Sequence, residues 1–265
     1  MPVATGYGGN AVDGSSPGGL LLVVEGIDQM VRCTLLGSFD ISHARGKINL
    51  PLGAQRLIAF LVLEDGRVHR VMAAERLWPA CVSRRASANL RSALWQVRRD
   101  FDSTVIECAG PQLRLAPDVH VDQRQALADA HAITGSAGSA TDLMTRHAEI
   151  VRALSQELLP DWSDDWLLLE RDRWDQVRLH ALETLARHLM SSERYVEALE
   201  AALRAVSIEP IRESAHRTLI EIHLAEGNSA CAVKHYQRYR GLLHRELGVA
   251  PSRRMLRLIE PLTAL

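Results

Sequence analysis

The spacing of apolar residues changes several times along the chain, and each change marks an element. VRCTLLGSF (Val31 to Phe39) and KINL (Lys47 to Leu50) are short β-prone stretches parted by polar residues and Gly46, which predicts a small opening sheet. AQRLIAFLVLEDG (residues 54–66) is apolar on nearly every face from Leu57 to Leu63 and then meets Gly66, the pattern of a buried helix with a glycine stop. VMAAERLW (residues 71–78) sets Val71, Ala74, Leu77 and Trp78 on one face and halts at Pro79, a short second helix. A third runs to Phe101 with Leu90, Ala93, Leu94, Val97 and Phe101 at helical spacing, and either Ser83 or Ser87 is its N-cap. TVIEC (residues 104–108), the turn Ala109-Gly110-Pro111 and QLRLA (residues 112–116) then read as a hairpin with Leu113 and Leu115 on one face and Gln112 and Arg114 on the other. Three helices followed by a hairpin is the order of a winged helix.

From Val121 onward the pattern is helical, broken at a Gly/Ser linker (residues 134–140), at residues 160–165, and near Pro210, Gly227 and Pro251. A shift of 34 residues lays Leu185 on Leu219, Ala198 on Ala232 and Ala202 on Tyr236, and aligns the breaks Ser191-Ser192 and Ala225-Glu226. That is the period of tetratricopeptide helix pairs, where small residues let neighbouring helices approach closely. Helices at residues 121–155 and 166–190, and one from Ser252 to Leu262, would cap or extend the stack. The fold class read from these patterns is mainly α with a small β component: a winged helix-turn-helix over residues 30–118, then a tetratricopeptide-like all-α domain over 121–265. Glycines 6, 8, 9, 14, 18 and 19 and sparse apolar content make the start a flexible tail, taken as residues 1–29.

Composition adjusts this picture in a few places. Cys33, Cys81, Cys108 and Cys231 are widely spaced and form no CxxC pair, so neither a disulfide framework nor a zinc site is expected. The apolar run from Leu20 to Val24 is too short for a signal-peptide core or a membrane span, and a cytoplasmic, nucleoid-associated protein is expected. A net charge of -1 says nothing by itself about nucleic acid; its distribution does. The stretch from Arg67 to Phe101 holds Arg67, Arg70, Arg76, Arg84, Arg85, Arg91, Arg98 and Arg99 against Glu75 and Asp100 alone. Such a local excess is the electrostatic footprint of phosphate contact.

On the third helix, turning the apolar positions inward leaves Arg84, Arg85, Ser87, Arg91, Ser92, Trp95, Gln96, Arg98 and Arg99 outward. Arginine pairs with guanine edges and glutamine with adenine edges, while arginines at helix ends hold phosphates. Arg91, Ser92, Trp95 and Gln96 are accordingly assigned to base edges and Arg84, Arg85, Arg98 and Arg99 to phosphates, with Gln112 and Arg114 on the wing reaching the adjacent groove or backbone. An ordinary solvated face of an amphipathic helix would look similar, and the hairpin that follows favours DNA.

Other features carry less. Trp162, Trp166 and Trp174 among Asp161, Asp164, Asp165 and Asp172 could anchor a partner, but Trp166, Leu168 and Leu169 open a long apolar helix and are read as core. His216 and His223, one heptad apart, are read as packing or surface, with no metal ligand set around them. No GxxxxGK[ST], GxGxxG or GxSxG motif is present, so an enzyme is not expected and no cofactor is called for.

Taken together, these residues resemble the Streptomyces antibiotic regulatory protein family, in which an OmpR-like winged helix precedes a bacterial transcriptional activation domain. The likeness covers residues 31–265. It is carried by LGAQRLIAFLVLEDGRVHRVMAAERLW and ANLRSALWQVRRDF in the first half. In the second half it is carried by LLPDWSDDWLLLERDRWDQVRLHALETLA and YVEALEAALRAVSIEPIRESAHRTLIEIHLAEGNSACAVKHYQRYRGLLHRELGVAPS. The resemblance implies binding to direct repeats in promoter DNA, often as a side-by-side homodimer formed on DNA, and recruitment of RNA polymerase through its sigma factor, with no membrane partner. The glycine-rich extension and the wing turn Ala109-Gly110-Pro111, which lacks an aromatic residue after its glycine, depart from the family pattern. With no further domain before Leu265, a stand-alone activator controlled by its abundance is the expectation. The alternative is a tetratricopeptide-like protein-interaction scaffold whose winged half contacts protein.

Overall fold

The structure is a computed structural model that describes residues 30–43, 46–101, 104–135 and 145–263. The expected tail and most of the Gly/Ser linker lie outside these residues. The first sheet contains β1 (Arg32–Thr34), β2 (Asp40–His43), β3 (Gly46–Lys47) and β7 (His120–Val121) in the order β3-β2-β1-β7. Its strand β2 falls in the stretch read as a polar spacer, where only Ile41 is buried, and the expected strand from Lys47 to Leu50 keeps a ladder at Lys47 alone. The three helices expected next are α1 (Leu52–Leu63), α2 (Arg70–Leu77) and α3 (Ser83–Asp100).

Several details differ from the sequence reading for local reasons. Helix α1 buries Ala54 and every residue from Leu57 to Val62, as its all-round apolar pattern requires, but the left-handed residue after it is Asp65, φ 41°, not Gly66. On α2 the buried set is Ala73, Ala74 and Leu77, and Val71 stays exposed because the helix starts at Arg70 and is capped by the His69 ring, 3.3 Å from the Val71 amide. Neither Ser83 nor Ser87 caps α3. Val82 precedes it in extended backbone, and its carbonyl accepts from the amides of Arg85 and Ala86 at 2.8 and 3.0 Å.

The hairpin forms from β5 (Ile106–Ala109) and β6 (Gln112–Leu115), closed by Gly110-Pro111. Gly110 takes φ 59°, the positive value a two-residue primed turn asks of its first central position. A third strand, β4 (Val68–His69), pairs antiparallel with β6, and the Arg70 amide donates to the Pro111 carbonyl at 2.8 Å, so the wing is bound to the start of α2.

The remaining elements are helices: α4 (Asp122–Thr134), α5 (His147–Leu154), α6 (Trp166–Ser191), α7 (Tyr195–Ile208), α8 (Glu213–Ala225), α9 (Ser229–Leu247) and α10 (Arg253–Thr263). The repeat is structural. The ends of α6 and α8 at Ser191 and Ala225, and the starts of α7 and α9 at Tyr195 and Ser229, are each 34 residues apart. Ala198, Ala201, Ala202 and Ala205 are fully buried along α7, where their lack of side-chain bulk lets neighbours close in.

One hydrophobic core runs from Val31 through the winged helix into α8, and a second, smaller cluster joins Ile220, Tyr236, Tyr239 and Met255 at the far end. The halves are joined by backbone as well as by side chains. Strand β7 runs parallel to β1, and Asp122 at the head of α4 accepts from the amides of Leu35 and Leu36 at 2.8 and 3.2 Å. Arg56 of α1 pairs with Asp164 at 3.1 Å, Phe39 stacks on Trp162, and Phe60 meets Trp166 edge-on. The tryptophans thus pack as core, with Trp174 buried and its Nε1 donating to the Gln156 carbonyl at 3.0 Å. Leu168 and Leu169 do not: of the opening turn of α6, only Leu167 is buried.

Candidate nucleic-acid interface

Helix α3 is amphipathic in the strict sense. Ala86, Leu90, Ala93, Leu94 and Val97 face the core, and Phe101 closes the far end. With these fixed, Arg84, Arg85, Arg91, Ser92, Trp95, Arg98 and Arg99 are exposed, while Ser87 and Gln96 are half-buried at the flanks. Trp95 sits in the middle of the outer face, one turn from Arg91 and Ser92 and one turn from Arg99.

The arginines are not equivalent. Arg84, Arg85 and Arg91 have no carboxylate partner among the described residues, and the first turn of α3 contains no acidic residue. Arg99 is engaged: its Nε and Nη2 donate to Asp100 at 2.6 and 3.1 Å, and its guanidinium carbon lies 4.9 Å from the Trp95 ring centroid. Arg98 leaves the outer face and reaches Cys108 Sγ on β5 at 3.2 Å, over an open crevice of about 590 Å³ between α3 and the hairpin. On the wing Gln112 and Arg114 are half-buried, and Arg114 donates to Glu107 directly across the strand pair at 2.6 Å, which holds the Glu107 carboxyl below its usual range. Arg67, beside β4, adds a further cation near Glu107 and lines a shallow hollow with Gln112 and Arg114. It belongs to the basic stretch read from the sequence, but only the β4–β6 pairing places it on the wing.

The other chemistry-bearing groups are built into the fold. His216 is buried, its Nδ1 is 2.9 Å from His235 Nε2, its Nε2 is 2.8 Å from the Pro210 carbonyl oxygen, and its ring stacks on Tyr239 at 4.1 Å. Its ring thus packs in the core against His235 and Tyr239. All four cysteines are free thiols, and burial pushes the Cys33 thiol well up. Among the described residues no cluster of three or more His, Cys, Asp or Glu side chains is placed to hold a metal ion, and no helix is long and apolar enough to cross a membrane.

A basic helix set on a three-helix core beside a three-stranded wing, continuous with tetratricopeptide-like helices, is the architecture of a winged-helix regulator. Residues 118–262, more than half the chain, match the bacterial transcriptional activator domain family, and the chain belongs to that family. The likeness to the Streptomyces antibiotic regulatory proteins read from its residues holds. Among solved structures, the fold is similar to that of Mycobacterium tuberculosis EmbR in complex with a low affinity phosphopeptide, with a TM-score of 0.69 and 19% identity. The match covers 89% of this chain and 65% of that one, so the chain spans about two thirds of EmbR's length. No curated protein sequence matches the chain.

Proposed function

We propose that this protein is a sequence-specific DNA-binding transcriptional activator, with residues 30–118 binding promoter DNA and residues 121–265 engaging RNA polymerase and its sigma factor. The observation that carries the reading is the outer face of α3, where Arg84, Arg85 and Arg91 stand exposed without counter-charges among the described residues, on a helix whose other face is core. A duplex presents the missing anions as phosphates. Helix α3 enters the major groove, where Arg91, Ser92, Trp95 and the half-buried Gln96 face base edges. Arg84 and Arg85, with Ser87 at the first turn, hold phosphates, and Gln112, Arg114 and Arg67 on the wing meet the neighbouring backbone. Arg98 and Arg99 contribute positive potential while being tied to Cys108 and Asp100.

The joint between the halves gives the activator reading a physical basis. Strand β7 and the Asp122 carboxylate fix the helical half to the sheet of the winged half, so that a DNA-bound winged helix would present the helices in one orientation to polymerase. Adjacent sites would then bring two copies side by side on DNA.

The test is genome-wide footprinting of the tagged protein beside an Arg84→Ala/Arg91→Ala control, together with duplex affinity against salt. The reading expects discrete promoter peaks with a shared motif that vanish in the control, and affinity that falls steeply with salt. No peaks beyond the control and no salt-dependent duplex binding would refute it in favour of a protein-binding scaffold.

A further inference from the structure

We propose that Trp95 reads the 5-methyl group of a pyrimidine in the major groove, so that the preferred site carries a thymine or a 5-methylcytosine opposite Trp95. The inference rests on the DNA-binding reading and deepens it at one residue. Trp95 is 59% exposed at the middle of a face otherwise made of arginine, serine and small residues, while five other side chains of the same helix are buried. The core does not call for an indole there.

The ring is also held in place. Arg99 lies 4.9 Å from its centroid, and two bonds to Asp100 fix that guanidinium in turn. With a cation over the ring, Trp95 offers a ligand an apolar surface and a single N–H donor. Base edges in the major groove display nitrogen and oxygen atoms and one apolar group, the C5 methyl of thymine, which 5-methylcytosine shares. Drying an indole against polar edges gains little, whereas packing it on a methyl recovers apolar contact. Wedging between base steps is the alternative use of a large apolar side chain, but it operates from the minor groove, which a winged helix's third helix does not enter.

The experiment starts from the site that the full chain selects from a random duplex library. Each thymine in it is then replaced singly by deoxyuridine, which removes only the methyl, and each cytosine by 5-methylcytosine. The expected result is an affinity loss of about four-fold at one thymine per bound copy, the fold-change that about 0.8 kcal/mol for one buried methyl corresponds to. Trp95→Ala, at an exposed position, keeps the parent's melting temperature and erases the difference between thymine and deoxyuridine, while Trp95→Leu retains part of it. Where the position opposite Trp95 is a cytosine, a gain on 5-methylation identifies that base as the source of the methyl. Tight, sequence-specific binding indifferent to every methyl, or a methyl effect that survives Trp95→Ala, overturns the inference and leaves the DNA-binding reading standing. Absence of any salt-dependent duplex binding refutes that reading instead.

Discussion

The outer face of α3 and the stack from α6 to α9 are both rich in arginine, yet they use it in opposite ways. In the stack most guanidinium groups, though not those of Arg204, Arg238, Arg240 and Arg245, are tied among the described residues: Arg173 to Glu170 at 2.6 Å, Arg178 to Asp175 at 2.7 Å, Arg194 to Glu197 at 2.9 Å and Arg212 to Glu183 at 2.7 Å. Arg171 donates to the carbonyls of Leu158, Leu159 and Trp162 and so holds the loop that leads into α6. On α3, Arg84, Arg85 and Arg91 have no such partner among the described residues. An arginine with its counter-charge built in serves stability; one without it is ready for an external anion. Where a cation sits matters less than whether the fold has already neutralised it.

The largest expected effect comes from breaking the first kind. Glu183, with a side chain 7% exposed, accepts from both Arg212 and Ser214 at 2.7 Å. Glu183→Ala strands the Arg212 guanidinium and is expected to cost about 3 kcal/mol in urea unfolding, with duplex affinity of the folded protein unchanged. A cost below about 0.5 kcal/mol, the usual size of a surface change, would show that the pair is dispensable. The second kind should respond in reverse. Arg91→Ala should leave unfolding within about 0.5 kcal/mol of the parent and weaken binding by about 1–3 kcal/mol with relaxed sequence preference. Arg84→Ala and Arg85→Ala should each weaken binding to all sequences alike and reduce the salt slope by about 1. A stability loss matching the binding loss would erase the distinction between the two regions.

Smaller effects test the stack against itself. The turn between α6 and α7 places Glu193 at φ 59°, and the equivalent turn between α8 and α9 places Gly227 at φ 86°. A side chain in this left-handed region costs roughly 1 kcal/mol, so Gly227→Ala should destabilise by about that much. Glu193→Gly should stabilise by less, because glycine also loosens the unfolded chain. Equal melting temperatures for both variants and the parent would show that the two turns are not under the same backbone constraint.

A pH-dependent effect arises at the far end of the stack. Burial holds His216 and His235 below their ordinary value, and the neighbouring His216, His223 and Arg238 help bring His235 to about 4. The unfolded chain then binds protons that the folded one refuses. Stability is complete above about 6.5, the ordinary value, and is lost as pH falls from there towards 4. Melting curves of the parent and His235→Gln should converge on acidification across that window; a constant gap would remove the pair from the titration.

The outer face of α3 was the more legible part of the molecule. Its apolar spacing set which side is core, and that alone brought Arg84, Arg91, Ser92 and Trp95 onto one outer face. The 34-residue period likewise placed the ends of α6 and α8 and the starts of α7 and α9. What escaped were β2, whose single buried residue, Ile41, leaves no alternation to read, and β4 and β7, each two residues long, since a period cannot show itself in so few positions. The same holds for Asp65, whose left-handed backbone is set by the loop into β4 and not by the glycine beside it.

The sequence by itself therefore determined the elements long enough to repeat, the excess of positive charge and the face on which it would emerge, because each depends on local periodicity and composition. Only the tertiary structure decided which arginines are free. Arg99 is claimed by Asp100, Arg114 by Glu107 and Arg212 by Glu183, some of them neighbours in sequence and some far apart, while Arg98 rests on the Cys108 thiol and keeps its charge. Charge is a property of a residue, but neutralisation is a property of distance, and distances of a few ångströms are set by packing.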